Sequence, residues 1–506
     1  MKLRPPWGAF AVVATVAISL TGCGNTAEQA QPTKTLTLGT WQNVTSFDPA
    51  QAADGHLIPY YQAVYDTLIW READGTYSPM LATSWEYNDD NTEMTIDLRN
   101  DVTFSDGAKF SAEAAKANIE HFKTANGPQA AQGALIGNVE VIDDDTIKIV
   151  LEAPDPSLEF SLSQGLGYMG SPDALGTDAI KTDPVGSGPY VLDAAASVNG
   201  SQFTYNKNAD YWNKDLQKFD KVIFKVLEDQ NAVLNALLAG QIDGGVIQAD
   251  ASVQAEEAGM IKLDDFVNLW AIYLFDRDGE KVPALKDVRV RQAINYALDR
   301  ETIVEQMFPL DGTPTTQIFG KHAGAYDVEL DDAYPYDPEK AKELLAEAGY
   351  ADGFVLDLPV EPLYSSWMAM IKQVLADVGI TVNLISVPGG TVLGDVLAGK
   401  YAAAPWSETQ WDTWAAIRQD VSKDAPRNPF HSTTPEVQEL IDAVQYAEPG
   451  STDAAQELNQ YLVDNAWFAP FMRKAIFFYV NPEKVDAVAQ VEQVVPSIYN
   501  YSPASS

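Results

Sequence analysis

The sequence predicts an α/β fold, in which strands and helices alternate along the chain. Between residues 220 and 400, segments of strand character alternate with segments whose apolar residues recur at helical spacing. The 506 residues are 46% hydrophobic, which supplies enough apolar material for a large core and argues against disorder. At about 150 residues per domain, this length corresponds to roughly three folding units.

Strand patterns dominate the first part of the folded chain. Residues 36–38, followed by Trp41, open a short strand, and residues 94–98 alternate as a second one. Residues 139–151 read as two strands around the acidic turn 143–145. That turn lacks the glycine and the distal glutamate of an EF-hand loop, so we interpret it as a solvated hairpin turn.

Helices are easier to place in the second half, because several begin at an aspartate and end at a glycine. Asp229 precedes an apolar helix face that stops at Gly240, and Asp337-Pro338 opens a helix that stops at Gly349. The elements that complete this part are a strand at 221–226, a helix around 290–298, a strand at 355–360, a helix at 370–378 and a strand at 381–387.

The charge balance excludes one class of partner. The chain has 33 basic and 72 acidic residues, a formal net charge of −39. Binding to a phosphate backbone needs the opposite surface charge, so nucleic acid is not an expected partner. The single cysteine rules out an intrachain disulfide and a cysteine-rich metal site.

The amino terminus predicts an exported protein. Lys2 and Arg4 precede an apolar run over residues 7–20, which is too short to span a bilayer. The run ends in Leu20-Thr21-Gly22-Cys23, which resembles the bacterial lipobox, with an ordinary signal and an incidental cysteine as the alternative. We therefore expect residues 1–22 to be a lipoprotein signal peptide, Cys23 to carry the lipid, and residues 23–34 to form a flexible tether.

No catalytic constellation stands out. Residues 394–401 come within one residue of a phosphate-binding loop, but the hydroxyl that would hold magnesium is missing and the segment reads as helix. Gly186-Ser187-Gly188 is followed by Pro189 and is typical of a tight turn, not of a nucleophile elbow. The four histidines, at 56, 121, 322 and 431, show no ligand spacing. We expect no catalytic residue, no metal and no cofactor.

An aromatic and acidic cluster is the strongest candidate for ligand binding. Trp406, Trp411 and Trp414 lie within nine residues, interleaved with Glu408 and Asp412. Indole faces stack on planar or sugar-like groups and attract cations, although core packing is the alternative for one or two of them. Trp41, Asn43, Trp270 and Tyr273 are further candidates, because they lie at strand ends or turns where clefts form.

Several short segments carry a resemblance to a known family through their shared order. They are Phe47-Asp48-Pro49, residues 64–68 (VYDTL), 79–86 (PMLATSWE), 98–107 (LRNDVTFSDG), 184–190 (PVGSGPY), 208–212 (NADYW), 287–294 (DVRVRQAI) and 337–349. Together they resemble the solute-binding proteins of ABC importers in the large peptide/nickel class, family 5.

The resemblance implies a two-lobed fold of the periplasmic-binding-protein type, a Venus flytrap. Residues 35–270 and 476–506 would form lobe I, with an inserted subdomain at about 71–182, and residues 277–475 would form lobe II. It implies a monomer, anchored outside the bacterial cell membrane by its lipid alone. This protein would capture a solute, foremost a short peptide, between its lobes and deliver it to a permease driven by a cytoplasmic ATPase.

The ligand is the point at which the sequence departs from the family. In peptide-binding members, an aspartate a few residues after a tryptophan pairs with the peptide ammonium. Trp406 matches that tryptophan, but the aspartate is missing or displaced to Glu408 or Asp412. A sugar-like, cationic or metal-chelate solute stays open, as does a ligand-sensing surface lipoprotein, whereas a hydrolase would need groups that we do not find. Arginines that could clamp a carboxylate are Arg277, Arg418 and Arg473.

Overall fold

A computed structural model describes residues 33–505, apart from positions 54, 389, 390, 410, 411 and 449. The predicted signal peptide, the lipid attachment at Cys23 and the candidate Trp411 lie outside the described residues. In the part that is described, no helix combines the length and the apolar character needed to cross a membrane.

The strands of the described chain are numbered in sequence order. They are β1 Thr35–Thr40, β2 Ile69–Arg71, β3 Tyr77–Pro79, β4 Ala82–Tyr87, β5 Glu93–Leu98, β6 Ile136–Asp143, β7 Thr146–Leu151, β8 Tyr190–Leu192, β9 Gln202–Lys207, β10 Lys221–Val226, β11 Gly244–Val246, β12 Ile261–Leu274, β13 Gly312–Pro314, β14 Phe354–Val360, β15 Ile380–Ser386, β16 Ala403–Thr409, β17 Phe468–Val480, β18 Val485–Ala487 and β19 Tyr501–Pro503.

The α-helices are numbered in the same way. They are α1 Ile58–Gln62, α2 Ala112–Thr124, α3 Leu158–Leu162, α4 Gln230–Leu238, α5 Ser252–Glu257, α6 Val288–Ala297, α7 Arg300–Met307, α8 Pro338–Glu347, α9 Ser365–Ala376, α10 Val392–Leu397, α11 Thr413–Ala416, α12 Pro435–Gln445 and α13 Asp453–Asp464. A π-helical turn, Ile417–Val421, continues α11.

The two long strands β12 and β17 join two lobes. They pair antiparallel, with a register shift between Asp265 and Asn268. Beyond that shift β12 pairs with β16, whereas the other end of β17 pairs with β11 and so continues into the sheet of β1, β10, β9 and β8. The fold is therefore α/β with two lobes, and the chain passes between them along these two strands.

Separate hydrophobic cores support this division. Lobe II is built on one cluster around Trp367 and Phe471 and a second around Trp414 and Phe468. Lobe I packs its sheet around a cluster that contains Tyr205. Burying such large aromatic side chains supplies much of the stability of each unit.

The inserted subdomain of lobe I has a core of its own. Its four-stranded antiparallel sheet, in the order β4-β5-β7-β6, packs against α2 through buried residues such as Met94, Phe122 and Ile149. Met94, Ile96 and Leu98 alternate with more exposed residues along β5. That alternation is why the sequence predicted a half-buried strand there.

Three of the family-like segments meet inside lobe I. The carboxylate of Asp66 accepts hydrogen bonds from the Tyr211 hydroxyl at 2.8 Å and the Trp212 indole at 2.9 Å. The Ser187 hydroxyl accepts one from the Asp66 amide at 3.3 Å. A Cβ atom at Gly186 would lie only 1.9 Å from the Val64 carbonyl oxygen, so this turn requires glycine. The Gly-Ser-Gly turn is thus part of the packing of lobe I.

Candidate functional site

A cavity of about 290 Å³ lies between the inserted subdomain and lobe II. The subdomain contributes Tyr77, Tyr87 and the segment 154–156 with Glu159, and lobe II contributes 412–414 and residues from 444 to 455. Two of the predicted ligand-binding residues, Asp412 and Trp414, line it. A concave, partly aromatic space between two units is the usual location of a small-molecule site.

Asp412 is the most unusual group in this cavity. One of its carboxylate oxygens accepts hydrogen bonds from the amides of Trp414 at 3.0 Å and Ala415 at 3.2 Å, and so caps α11. In the described part of the chain, no lysine or arginine forms an ion pair with it. Burial raises the pKa of Asp412 to about 7, and the charges of Glu492 and Asp155 add to the effect against the two amide hydrogen bonds.

The other carboxylates of the cavity are engaged differently. Asp155, on the subdomain, pairs with Arg418 of lobe II at 3.4 Å. Burial raises the pKa of Asp155, and the Arg418 charge opposes that shift. Glu159 accepts a hydrogen bond of 2.6 Å from the Trp85 indole. Glu448 lies exposed at the edge of the cavity.

Three aromatic side chains contribute to the wall. Tyr77 and Tyr87 come from β3 and β4, and Trp414 comes from α11. Trp414 is only 5% exposed, and its indole nitrogen is buried without a hydrogen-bond partner in the described residues. Trp414 is therefore both a core residue of lobe II and part of the cavity wall.

Glu408 and Trp406 belong to a buried ionic cluster behind this wall. Arg427 lies 2.7 Å from the Glu408 carboxylate and 3.2 Å from Asp420, with its guanidinium over the Trp406 ring. The Trp406 indole donates a hydrogen bond of 3.0 Å to Glu408. Burial raises the pKa of Asp420, which the charge of Arg427 opposes. Glu408 is thus paired with an arginine, whereas Asp412 has no such partner among the residues that the structure describes.

Trp270 and Tyr273 lie on β12 within lobe II. Trp270 packs against Phe308 and Trp367, with ring centroids 5.2 and 5.3 Å apart, and is 8% exposed. Tyr273 packs against Phe468 with centroids 4.8 Å apart, and it lines a small cavity of about 10 Å³ together with Glu408. Neither residue lines the larger cavity.

Trp41 lies on a second cleft, of about 370 Å³, where β1 ends beside β12 and β17. Its side chain is 39% exposed, and its indole donates a hydrogen bond of 3.0 Å to His56. Asn43 instead fixes a neighbouring turn, through hydrogen bonds with Asn199 at 3.0 Å and the Gly200 amide at 3.1 Å. The structure therefore distributes the described predicted residues over two clefts, a small cavity, a turn and the core.

A chain of polar contacts at the lobe boundary escaped the sequence analysis. Arg71 pairs with Glu492, whose backbone adopts a φ of 57° and whose amide donates to the Asp265 carboxylate at 2.9 Å. The other Asp265 oxygen lies 3.3 Å from the His322 ring nitrogen of lobe II. This pairing raises the pKa of His322. Four residues so far apart in sequence leave no local signal.

The match to a family model decides the identity of the chain. Residues 76–423 match the model described as bacterial extracellular solute-binding proteins, family 5, middle. The chain belongs to this family. Its members bind solutes for ABC importers.

Individual relatives agree with the family 5 assignment. The chain is 30% identical over 381 residues to a glutathione-binding protein, GsiB, of Salmonella choleraesuis, covering 72% of this chain and 71% of the relative. Its fold is similar to that of HbpA2 from Haemophilus parasuis, with a TM-score of 0.81, 23% identity and coverage of 93% and 100%. Its fold is also similar to that of DppA from Helicobacter pylori, solved with the peptide STSA. Here the TM-score is 0.77, the identity is 21%, and the match covers 93% of this chain and 98% of the other.

Two of the three candidate arginines of this family 5 protein are enclosed in lobe II. Arg277 donates to the Leu274 carbonyl at 2.6 Å and to the Asn428 side chain at 2.8 Å. Arg473 pairs with Asp331 at 2.6 Å. Arg418 alone reaches out of lobe II, to Asp155 and to the Ala131 carbonyl at 2.6 Å.

The described residues contain no group of three or more histidine, cysteine, aspartate or glutamate side chains placed to hold a metal ion. The segment that resembled a phosphate-binding loop forms helix α10 and the turn after it. Lys400 pairs there with Asp395 at 2.7 Å. The structure thus agrees with the helical reading of that segment.

Proposed function

We propose that this family 5 protein captures a solute with a primary ammonium group, foremost a short peptide, in the cavity between the inserted subdomain and lobe II. Asp412 binds the ammonium, and Tyr77, Tyr87 and Trp414 contact the rest of the solute. The protein is anchored outside the cell by lipid on Cys23, acts as a monomer and delivers the solute to a permease driven by an ATPase.

The unpaired carboxylate of Asp412 carries this proposal. Of the two acids that the sequence left open, Glu408 already has Arg427 at 2.7 Å. Asp412 lines the cavity, burial raises its pKa to about 7, and no lysine or arginine of the described residues forms an ion pair with it. An ammonium group would supply that cation, and a charge pair in a partly desolvated site contributes more than one in water.

Contacts across the cavity support capture by closure. Arg418 and Gln445 of lobe II reach the subdomain, the latter through a hydrogen bond of 3.0 Å to the Pro154 carbonyl. A solute that contacts both sides favours this closed arrangement over an open one. Shifting such an equilibrium from 1:99 to 99:1 takes about 5.5 kcal/mol of differential binding, which a charge pair and aromatic contacts can supply together.

The direct test compares the binding of peptides with free and acetylated amino termini by calorimetry. We expect Asp412→Asn to lose about tenfold or more in affinity for the free peptide and little for the acetylated one. Asp337→Asn is the matched control, because Asp337 also caps a helix of lobe II, α8, but lies exposed and away from the cavity. Equal affinity for both peptides in the unmodified protein would refute the role of Asp412.

Glutathione belongs in the same titration, because a Salmonella relative is named for binding it. Uptake assays then address the transport role. Deleting the protein should abolish uptake of the solute that binds, whereas unchanged uptake with altered signalling would favour a sensor. The proposed anchor is tested by radiolabelled fatty acid, which should label the full chain but not Cys23→Ser.

A further inference from the structure

We infer that the cavity selects for solutes with net positive charge, such as peptides with basic side chains, over neutral and acidic ones of the same size. This inference rests on the proposed function, because it concerns the same cavity. It goes beyond one ammonium group, since it concerns the rest of the solute as well.

The charges of the cavity wall are one-sided. Four carboxylates line it, those of Asp155, Glu159, Asp412 and Glu448, and no lysine or arginine is among its described lining residues. Arg418 offsets one of the four, Asp155. An acidic side chain or a carboxyl terminus on the solute would therefore be repelled by like charges and would find no cationic partner among the described lining residues. This repulsion lowers the affinity, and it is stronger where the dielectric constant is low.

Two of these acids, Asp412 and Glu159, and a third outside the lining, Glu492, act on one residue of the wall, Tyr77. Its pKa is raised by burial and, in addition, by the charges of Asp412, Glu492 and Glu159, with Arg71 opposing. The three acids come from lobe II, the carboxyl-terminal segment and the subdomain, so their fields meet at one point of the wall. Arg71 is already committed to Glu492 and to the Val491 carbonyl at 2.9 Å.

The aromatic part of the wall favours the same class of solute. Tyr77, Tyr87 and Trp414 line the same cavity as these carboxylates, and aromatic faces attract ammonium and guanidinium groups. A lysine or arginine side chain on the solute could place its stem against the rings and its charge near Glu159 or Glu448. Neutral side chains gain only the apolar contact.

Three amidated tripeptides with a free amino terminus test the inference: Ala-Lys-Ala, Ala-Ala-Ala and Ala-Glu-Ala. Calorimetry with the purified protein at low salt should give at least about tenfold tighter binding of the basic peptide than of the acidic one. The ratio should shrink at high salt, because screening weakens charge interactions. Equal affinities, or a preference for the acidic peptide, would overturn the charge inference while leaving the proposed function intact. If none of the three peptides binds, both the charge inference and the proposed function are contradicted.

Two variants locate the selectivity. Glu159→Gln and Glu448→Gln should each lower the ratio of basic to acidic affinity, with the glutamine at 159 still able to accept the Trp85 hydrogen bond. Asp144→Asn removes an exposed charge from the hairpin turn of the same subdomain and should leave the ratio unchanged. Thermal melting identifies any variant that fails to fold. If no folded cavity variant changes the ratio of basic to acidic affinity, the charge selectivity does not come from this wall.

Discussion

At the scale of single residues, Asp412 has two roles that one substitution separates. Its carboxylate caps α11 through the amides of Trp414 and Ala415, and it also presents a charge to the cavity. Asparagine caps a helix about as well as aspartate but carries no charge. Asp412→Asn therefore removes the charge and keeps the local structure, so its effects report on the charge.

The first prediction concerns stability and pH. The pKa of Asp412 is raised from about 3.8 to about 7, so between these values the native state holds a proton that the unfolded chain has released. The free energy of unfolding therefore falls as the pH rises from 4 to 7, and it falls no further from this group above pH 7. Without solute, Asp412→Asn should be more stable at pH 8, by at most about 4 kcal/mol, and unchanged near pH 4. Urea unfolding at both pH values checks this, and a loss of stability at pH 8 would contradict it.

Solute affinity should show the opposite trend with pH. An ammonium group binds the ionised carboxylate, so binding must first remove the proton that Asp412 holds below pH 7. Affinity for a peptide with a free amino terminus should fall about tenfold per pH unit below 7, and it should fall again above about pH 8, where the amino group of the peptide itself loses its proton. Calorimetry in two buffers of different ionisation enthalpy should show the released proton. A flat profile between pH 5 and 8 would exclude Asp412 as the partner.

The choice between Glu408 and Asp412 could not be made from the sequence. Both follow Trp406 within six residues, and both suited the ammonium role. What distinguishes them is Arg427, nineteen residues beyond Glu408, which the fold brings to 2.7 Å from it. Trp270 is a similar case, because its position on β12 suggested a strand end, whereas its indole packs with Phe308 and Trp367.

At the scale of elements, local chemistry made two helix starts predictable. Asp229 and Asp337 each accept a hydrogen bond from a backbone amide in the first turn of α4 or α8. Asp287 caps α6 in the same way, although the sequence indicated that helix only around residues 290–298. The strand β10 has the predicted bounds, Lys221–Val226. By contrast, the segment 406–414 gave weak signals, and its first part is β16, a strand defined by pairing with β12 more than by its own composition.

The π-helical turn after α11 carries a contact that we expect to hold the closed form. Arg418 projects from it to the carboxylate of Asp155 at 3.4 Å and the Ala131 carbonyl at 2.6 Å, both on the inserted subdomain. Asp155 is buried, so removing its only ion-pair partner among the described residues leaves an uncompensated charge in the closed form. An open form would expose Asp155 to water and avoid that cost.

Arg418→Ala should therefore speed solute dissociation by roughly tenfold with little change in the association rate. Stopped-flow fluorescence measures both rates. Arg289→Ala is the control, because Arg289 forms an ion pair with Asp287 on the surface of lobe II, away from the subdomain. If Arg418→Ala lowers the melting temperature of the solute-free protein and leaves dissociation unchanged, the contact serves folding and not closure.

At the scale of the whole molecule, the order of the short family-like segments along the chain indicated the family, although each segment alone was a weak signal. The segments 64–68, 184–190 and 208–212 meet around Asp66 in one packed region, which explains why the fold requires them in a fixed order. How the lobes approach each other depends on contacts such as that between Asp265 and His322. No local pattern specifies those pairs, so the cavity between the subdomain and lobe II could not be predicted from the sequence.

The last prediction is that the solute draws the inserted subdomain and lobe II together. Because β12 and β17 connect the lobes, rotation about the irregular pairing at Asp265 would open the cavity without unfolding either lobe. Cys23 is the only cysteine, so Cys23→Ser combined with Asp144→Cys and Glu439→Cys provides one exposed dye site on each side. Single-molecule energy transfer should shift to a shorter distance when a binding peptide is added, and the added Asp412→Asn change should suppress that shift. An unchanged distance at peptide concentrations that saturate the protein in calorimetry would rule out capture by closure, since a solute that binds both states equally cannot shift the equilibrium between them.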